Sequence, residues 1–163
     1  MLNKKKNNKG FTLVELLVVI AIIGILAVVA VPALFKNINK AKVADVESDY
    51  SAIKSAVLSY YTDKNTMPIS DATTWNAKLA DYMDSVPTKS AIDGTYSIVK
   101  SGQKLALKIE GAKATGQQMV KLIDDIGSEK VYFGKQDNSI NKATGVANGD
   151  NNIYLILVDN TNM

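Results

Sequence analysis

Three residue types are missing from this 163-residue chain: cysteine, histidine and arginine. Without Cys there is no disulfide framework and no thiolate metal site. Without His, the commonest general base and the commonest metal ligand are gone. All 19 basic residues are Lys, so bidentate guanidinium forks toward phosphate or carboxylate are unavailable. The length suits one modest domain rather than two.

The formal charge of +3 is unevenly placed. Lys4, Lys5, Lys6 and Lys9 fall within the first ten residues, which hold no acid. The remainder carries 15 Lys against 16 acids, a net of −1. The basic balance therefore belongs to the terminus. No basic face on a folded domain is implied, and no specific nucleic-acid partner is expected.

After Gly10 comes an apolar run from Phe11 to Phe35 with a single charge, Glu15. Twenty uncharged residues, Leu16 to Phe35, would span roughly 30 Å as a helix, about the hydrocarbon thickness of a bilayer. A helix satisfies its own backbone in lipid. Positive charge before the run predicts a cytoplasmic N-terminus.

Three readings compete. A cleaved secretory signal has an apolar core of ~7–15 residues, shorter than this run. Val28-Val29-Ala30 matches its cleavage site only loosely. A plain signal anchor explains the length and the Lys flank but leaves Glu15 unexplained. An acid inside a membrane segment is costly, so its default reading is functional. The third reading uses every feature. Lys9-Gly10-Phe11-Thr12-Leu13-Val14-Glu15 resembles the processing motif of type IV prepilins and their pseudopilin relatives. The stretch Leu16 to Ala27 and Pro32 continue the resemblance, which is close over roughly residues 4 to 60.

That resemblance implies cleavage between Gly10 and Phe11 by a prepilin peptidase, then N-methylation of Phe11. It implies a single-pass membrane precursor, drawn by an inner-membrane assembly platform into a surface fibre of many copies, with minor pilins. Adhesion, motility or biofilm formation would be the fibre's use. It also implies that the helix between Gly24 and Pro32 can lose helicity in the fibre. The lack of Cys points to the disulfide-free branch seen in Gram-positive bacteria. The alternative function is a pseudopilin of a type II secretion or DNA-uptake machine. A third class is a monomeric membrane-anchored binding protein, with an uncleaved start and no dependence on Glu15.

The chemistry of the start follows from the residues. Cleavage after Gly10 would create an α-amine at Phe11, largely cationic at neutral pH. A neighbouring subunit's Glu15 carboxylate would offset that charge, and the four-residue separation would fix an axial stagger. An intrachain contact from Glu15 to its own N-terminus is the alternative, since an acid there suits the helix dipole. Pro32 cannot donate to the Val28 carbonyl, which gives at least a kink. Gly24 also weakens the helix, by ~1 kcal/mol relative to Ala.

From Phe35 to about Asp63 the pattern is amphipathic. Ile38, Val46, Tyr50, Ile53, Val57 and Tyr60 recur at helical spacing. One helix is expected from Phe11 to near Thr62. Trp75, Leu79, Tyr82, Met83 and Val86 predict a second helix, stopped by Pro87. Tyr96–Val99 and Lys104–Glu110 read as strands joined at Ser101-Gly102-Gln103. Gly116–Ile126 reads as a helix with Met119, Leu122, Ile123 and Ile126 on one face. Val131–Phe133 and Ile153–Val158 read as further strands. The expected fold is α+β, a type IV pilin fold: a long helix packed on a C-terminal antiparallel sheet. The division is residues 1–10 leader, 11–35 membrane and fibre-core helix, and 36–163 globular domain, its helical part ending near 62.

No catalytic site, cofactor or metal is expected. Gly111 to Gly116 has the glycine spacing of a phosphate loop, but Gln117-Gln118 replaces the Lys and Ser/Thr. Asp137, Ser139, Asn141 and Asp150 lack the glycine and closing Glu of a calcium loop. Asp124-Asp125 reads as the solvated end of a short helix. Tyr50, Tyr60 and Tyr61 read as core.

Overall fold

The structure, a computed structural model, describes residues 10–68, 74–101, 103–134 and 151–159. It divides into two units, Met1–Ile38 and Asn39–Met163. Helix α1 runs Leu13–Lys64, 52 residues, and contributes to both. The first unit holds the apolar half, and every described residue from 10 to 38 is exposed. By length and composition α1 is able to cross a membrane.

The second unit is α+β. Its elements are the rest of α1, then α2 (Trp75–Leu79), β1 (Thr95–Ser101), β2 (Lys104–Ala112), α3 (Gly116–Ile126), β3 (Val131–Gly134) and β4 (Asn151–Asp159). The strands form one antiparallel sheet in the order β1-β2-β4-β3. Strand alternation sorts the side chains. Tyr96, Ile98, Leu105, Leu107, Ile109, Ile153, Leu155 and Leu157 join Val43, Val46, Tyr50, Ile53 and Val57 of α1 in one core. Burial of that helical stripe, more than propensity, holds this part of α1 helical. Val43 and Ala56 complete the buried stripe, whereas Ile38 is exposed.

Side chains on the opposite sheet face are also buried: Ala106, Tyr132, Tyr154 and Ile156 form a second cluster. Lys108 lies on this face and pairs with Glu110 at 3.2 Å. Lys104 stands 5.3 Å from the Tyr132 ring centre and 3.1 Å from Asp159. The sheet thus has two apolar faces, only one of which serves the helix.

Polar bonds lock the core. The Tyr50 hydroxyl donates to the Ile156 carbonyl at 2.6 Å, beside a bulge where β4 slips relative to β2 between Leu105 and Ala106. The Tyr96 hydroxyl donates to Asp49 at 3.0 Å. Burial raises both the Tyr96 hydroxyl and the Asp49 carboxyl from their ordinary values. Gly94 sits at φ +88° in the turn before β1, and a Cβ there would lie 2.6 Å from the Glu110 carbonyl oxygen.

The second predicted helix is shorter than its periodicity implies. Only Trp75–Leu79 is helical. Tyr82, Met83 and Val86 follow as turns and extended chain, yet still pack on the core. Tyr82 donates to Asp63 at 2.5 Å and meets Tyr60 edge-on at 5.5 Å. Docking side chains at helical spacing does not require helix where each one finds a pocket on a neighbouring element. The other elements lie where expected, with Gly116–Ile126 matching end for end. Gly102, most of the residue 134–152 loop, and with it Asp137, Ser139, Asn141 and Asp150, lie outside the described residues.

Candidate assembly site at the start of the long helix

Gly10, Phe11 and Thr12 precede α1 in non-helical conformation, and all three are exposed. Thr12 is the residue that starts the helix. Its carbonyl accepts from Leu16 N–H at 3.2 Å, and its Oγ1 accepts from Glu15 N–H at 3.2 Å. The Glu15 carboxylate reaches back. Its Oε2 accepts from Thr12 N–H and from Thr12 Oγ1, each at 2.8 Å. This is a reciprocal capping box, in which each side chain satisfies a backbone donor that the helix leaves orphaned. Glu15 also sits at the positive end of the helix dipole.

The geometry therefore joins Thr12 to the predicted set. Glu15 is held by Thr12, three residues before it and the second residue after the expected cleavage point. The Thr-x-x-Glu spacing is a capping signal in the sequence itself. Gly24 and Pro32 lie further along, both inside α1. A Cβ at Gly24 would meet nothing within 4 Å. Around these residues Phe11, Leu13, Val14, Leu16, Ile25, Val28, Val29 and Phe35 are all exposed large apolar side chains. Lys4, Lys5, Lys6 and Lys9 lie outside the described residues. Among the described residues, no three metal-binding side chains come together.

An exposed apolar helix of this length, opened by a capped acid, can do two things chemically. It can enter lipid, or it can pack against other copies of itself. Comparison with known proteins distinguishes what kind of chain carries it. Residues 5–31 match the prokaryotic N-terminal methylation motif, and residues 37–113 match the family described as PilW, C-terminal. The fold is similar to that of the solved major type IV pilin from Clostridium difficile, with a TM-score of 0.63 and 43% identity, covering 76% of this chain and 98% of that one.

The chain belongs to the type IV pilin family.

Other pilin-family proteins share parts of it. The fimbrial protein EcpC of Eikenella corrodens is 36% identical over 102 residues, 61% of this chain and 65% of that protein. The type II secretion system core protein G of Aeromonas hydrophila is 41% identical over 68 residues, 42% of this chain and 48% of that protein. The chain thus spans less than two-thirds of the length of these curated relatives. As in the solved pilin, the long N-terminal helix and four-stranded antiparallel sheet form the fold. These similar proteins are a major type IV pilin, a fimbrial protein and a type II secretion core protein.

Proposed function

We propose that this pilin is the structural subunit of a type IV pilus. A prepilin peptidase cuts it between Gly10 and Phe11 and methylates the new Phe11 amine. Before assembly the chain is a single-pass membrane protein with its N-terminus in the cytoplasm. Residues 1–10 are leader, residues 11–35 the apolar segment, and residues 36–163 the globular domain outside the membrane. An inner-membrane platform transfers it into a helical homopolymer, together with minor pilins, for adhesion, motility or biofilm formation. The reading assigns it no catalytic activity and no cofactor.

One observation carries this reading: every described apolar residue of the first unit is exposed, while the second has a core of its own. Lipid covers such a surface in the membrane, and neighbouring copies cover it in a fibre. Within the fibre, Glu15 of one subunit pairs with the Phe11 amine of the next. Gly24 and Pro32 mark the stretch with the weakest claim to stay helical.

A second reading is favoured by the similarity to type II secretion core protein G. There the polymer is short and serves export or uptake. Electron microscopy of cells with and without the gene separates the two. Long surface filaments lost with the gene support a pilus. Unchanged filaments with lost secretion or DNA uptake support a pseudopilus.

A further inference from the structure

The environment of α1 changes at one residue. Every described residue up to Ile38 is exposed, Asn39 is the first that is not, and Val43 and Val46 beyond it are buried. Asn39 Oδ1 accepts from Gln118 Nε2 of α3 at 3.2 Å, across 79 positions of sequence. Met119 and Leu122, which follow Gln118 on α3, share a core with Val43 and Val46.

Gln118 is buried, and its side-chain amide is used at both ends. Oε1 accepts from Thr115 N–H at 2.8 Å, while the Gln118 backbone N–H donates to Thr115 Oγ1 at 3.3 Å, the capping box that opens α3. An N–H can only donate, so the cap fixes which end of the amide faces Thr115 and leaves Nε2 for Asn39. One side chain thus starts α3 and holds α1. We infer that the Asn39–Gln118 bond is a stop on α1: openings of the helix that begin in the exposed stretch around Pro32 end at Asn39, and the same bond ties that point to the first turn of α3.

Helix physics explains why a stop is needed there. Packing, more than propensity, holds a helix in a folded chain. Pro32 interrupts the backbone ladder, and Ala33 to Ile38 are all exposed, so an opening starts in that stretch at low cost. Asn is a poor helix former, and Asn39 therefore adds nothing through propensity. Carrying the opening past Asn39 takes the acceptor away from a buried amide and loosens Val43 in the core, and a stranded buried donor is costly. The inference rests on contacts within one chain, so neither processing nor fibre formation enters it.

Hydrogen exchange on the full-length chain in detergent micelles, corrected for intrinsic rates, tests this. Asn39→Ala should raise the open fraction reported by the amides of residues 40–46 and 116–120 roughly tenfold, while β2 amides stay flat. Propensity alone predicts the opposite sign for residues 40–46, because Ala is the better helix former. Asn39→Asp keeps an acceptor for Nε2 and should stay within about twofold of the wild type. Gln118→Glu keeps Oε1 for Thr115 but removes the donor, so it should open residues 40–46 as Asn39→Ala does, and the two changes together should cost no more than either alone. Unchanged or slower exchange at residues 40–46 in Asn39→Ala, an Asn39→Asp chain as open as Asn39→Ala, or losses that add in the double variant would overturn the stop.

Discussion

Glu15 has two demands on one carboxylate. Its Oε2 is taken by the Thr12 N–H and hydroxyl. A carboxylate has lone pairs on both oxygens, so Oε1 remains able to accept from a second donor, and the cap and an intersubunit bond to Phe11 can coexist. Glu15→Ala should leave membrane insertion intact, because insertion depends on apolar length and the Lys flank. It should lower the ratio of sheared fibre to membrane-retained subunit sharply, since stranding one partner of a buried pair costs about 3–5 kcal/mol. Glu15→Asp should be intermediate. Wild-type fibre yield from a cleaved, inserted Glu15→Ala chain would remove the pairing role. At the core, Tyr50→Phe strands the Ile156 carbonyl while keeping the ring in place. The globular unit should lose about 1–3 kcal/mol in denaturant titration, and an unchanged midpoint would show that water replaces the hydroxyl.

At the scale of elements, periodicity and length decided what could be read from the chain. Val46, Tyr50, Ile53 and Val57 announced the buried stripe of α1, and Leu105, Leu107 and Ile109 the inward face of β2. These are local patterns that the sequence prints directly. Two features were not legible, one because its cause is distant and one because it is a choice between two local rules. Tyr82, Met83 and Val86 kept helical spacing without helix, because Asp63 and Tyr60 of α1 hold that segment from outside it. Thr12 and Glu15 spell a capping box, but the spacing alone does not say whether the carboxylate serves its own helix start or another subunit's amine. The division of the chain has its own test. A truncated chain starting near Lys36 keeps the globular half of α1 with its sheet, so it should be soluble and monomeric, with a mixed helix and strand circular dichroism spectrum. Aggregation or an unfolded spectrum would show that the division is wrong.

For the whole molecule, the two units have opposite economies of surface. Asn39–Met163 buries its apolar side chains on both faces of one sheet. Met1–Ile38 buries none among its described residues. In the proposed function an apolar, continuous partner covers the first unit, lipid first and neighbouring helices second. That passage would need a new terminus, because an uncut chain has no amine at Phe11 to meet Glu15. Processing is thus the step on which the proposed function depends. Surface fibres should be sheared from cells, and the intact mass and N-terminal residue of their main subunit determined. The expected result is a chain beginning at N-methylated Phe11. A fibre subunit beginning at Met1, a mature protein beginning near Val31, or fibres that lack this chain altogether would contradict it.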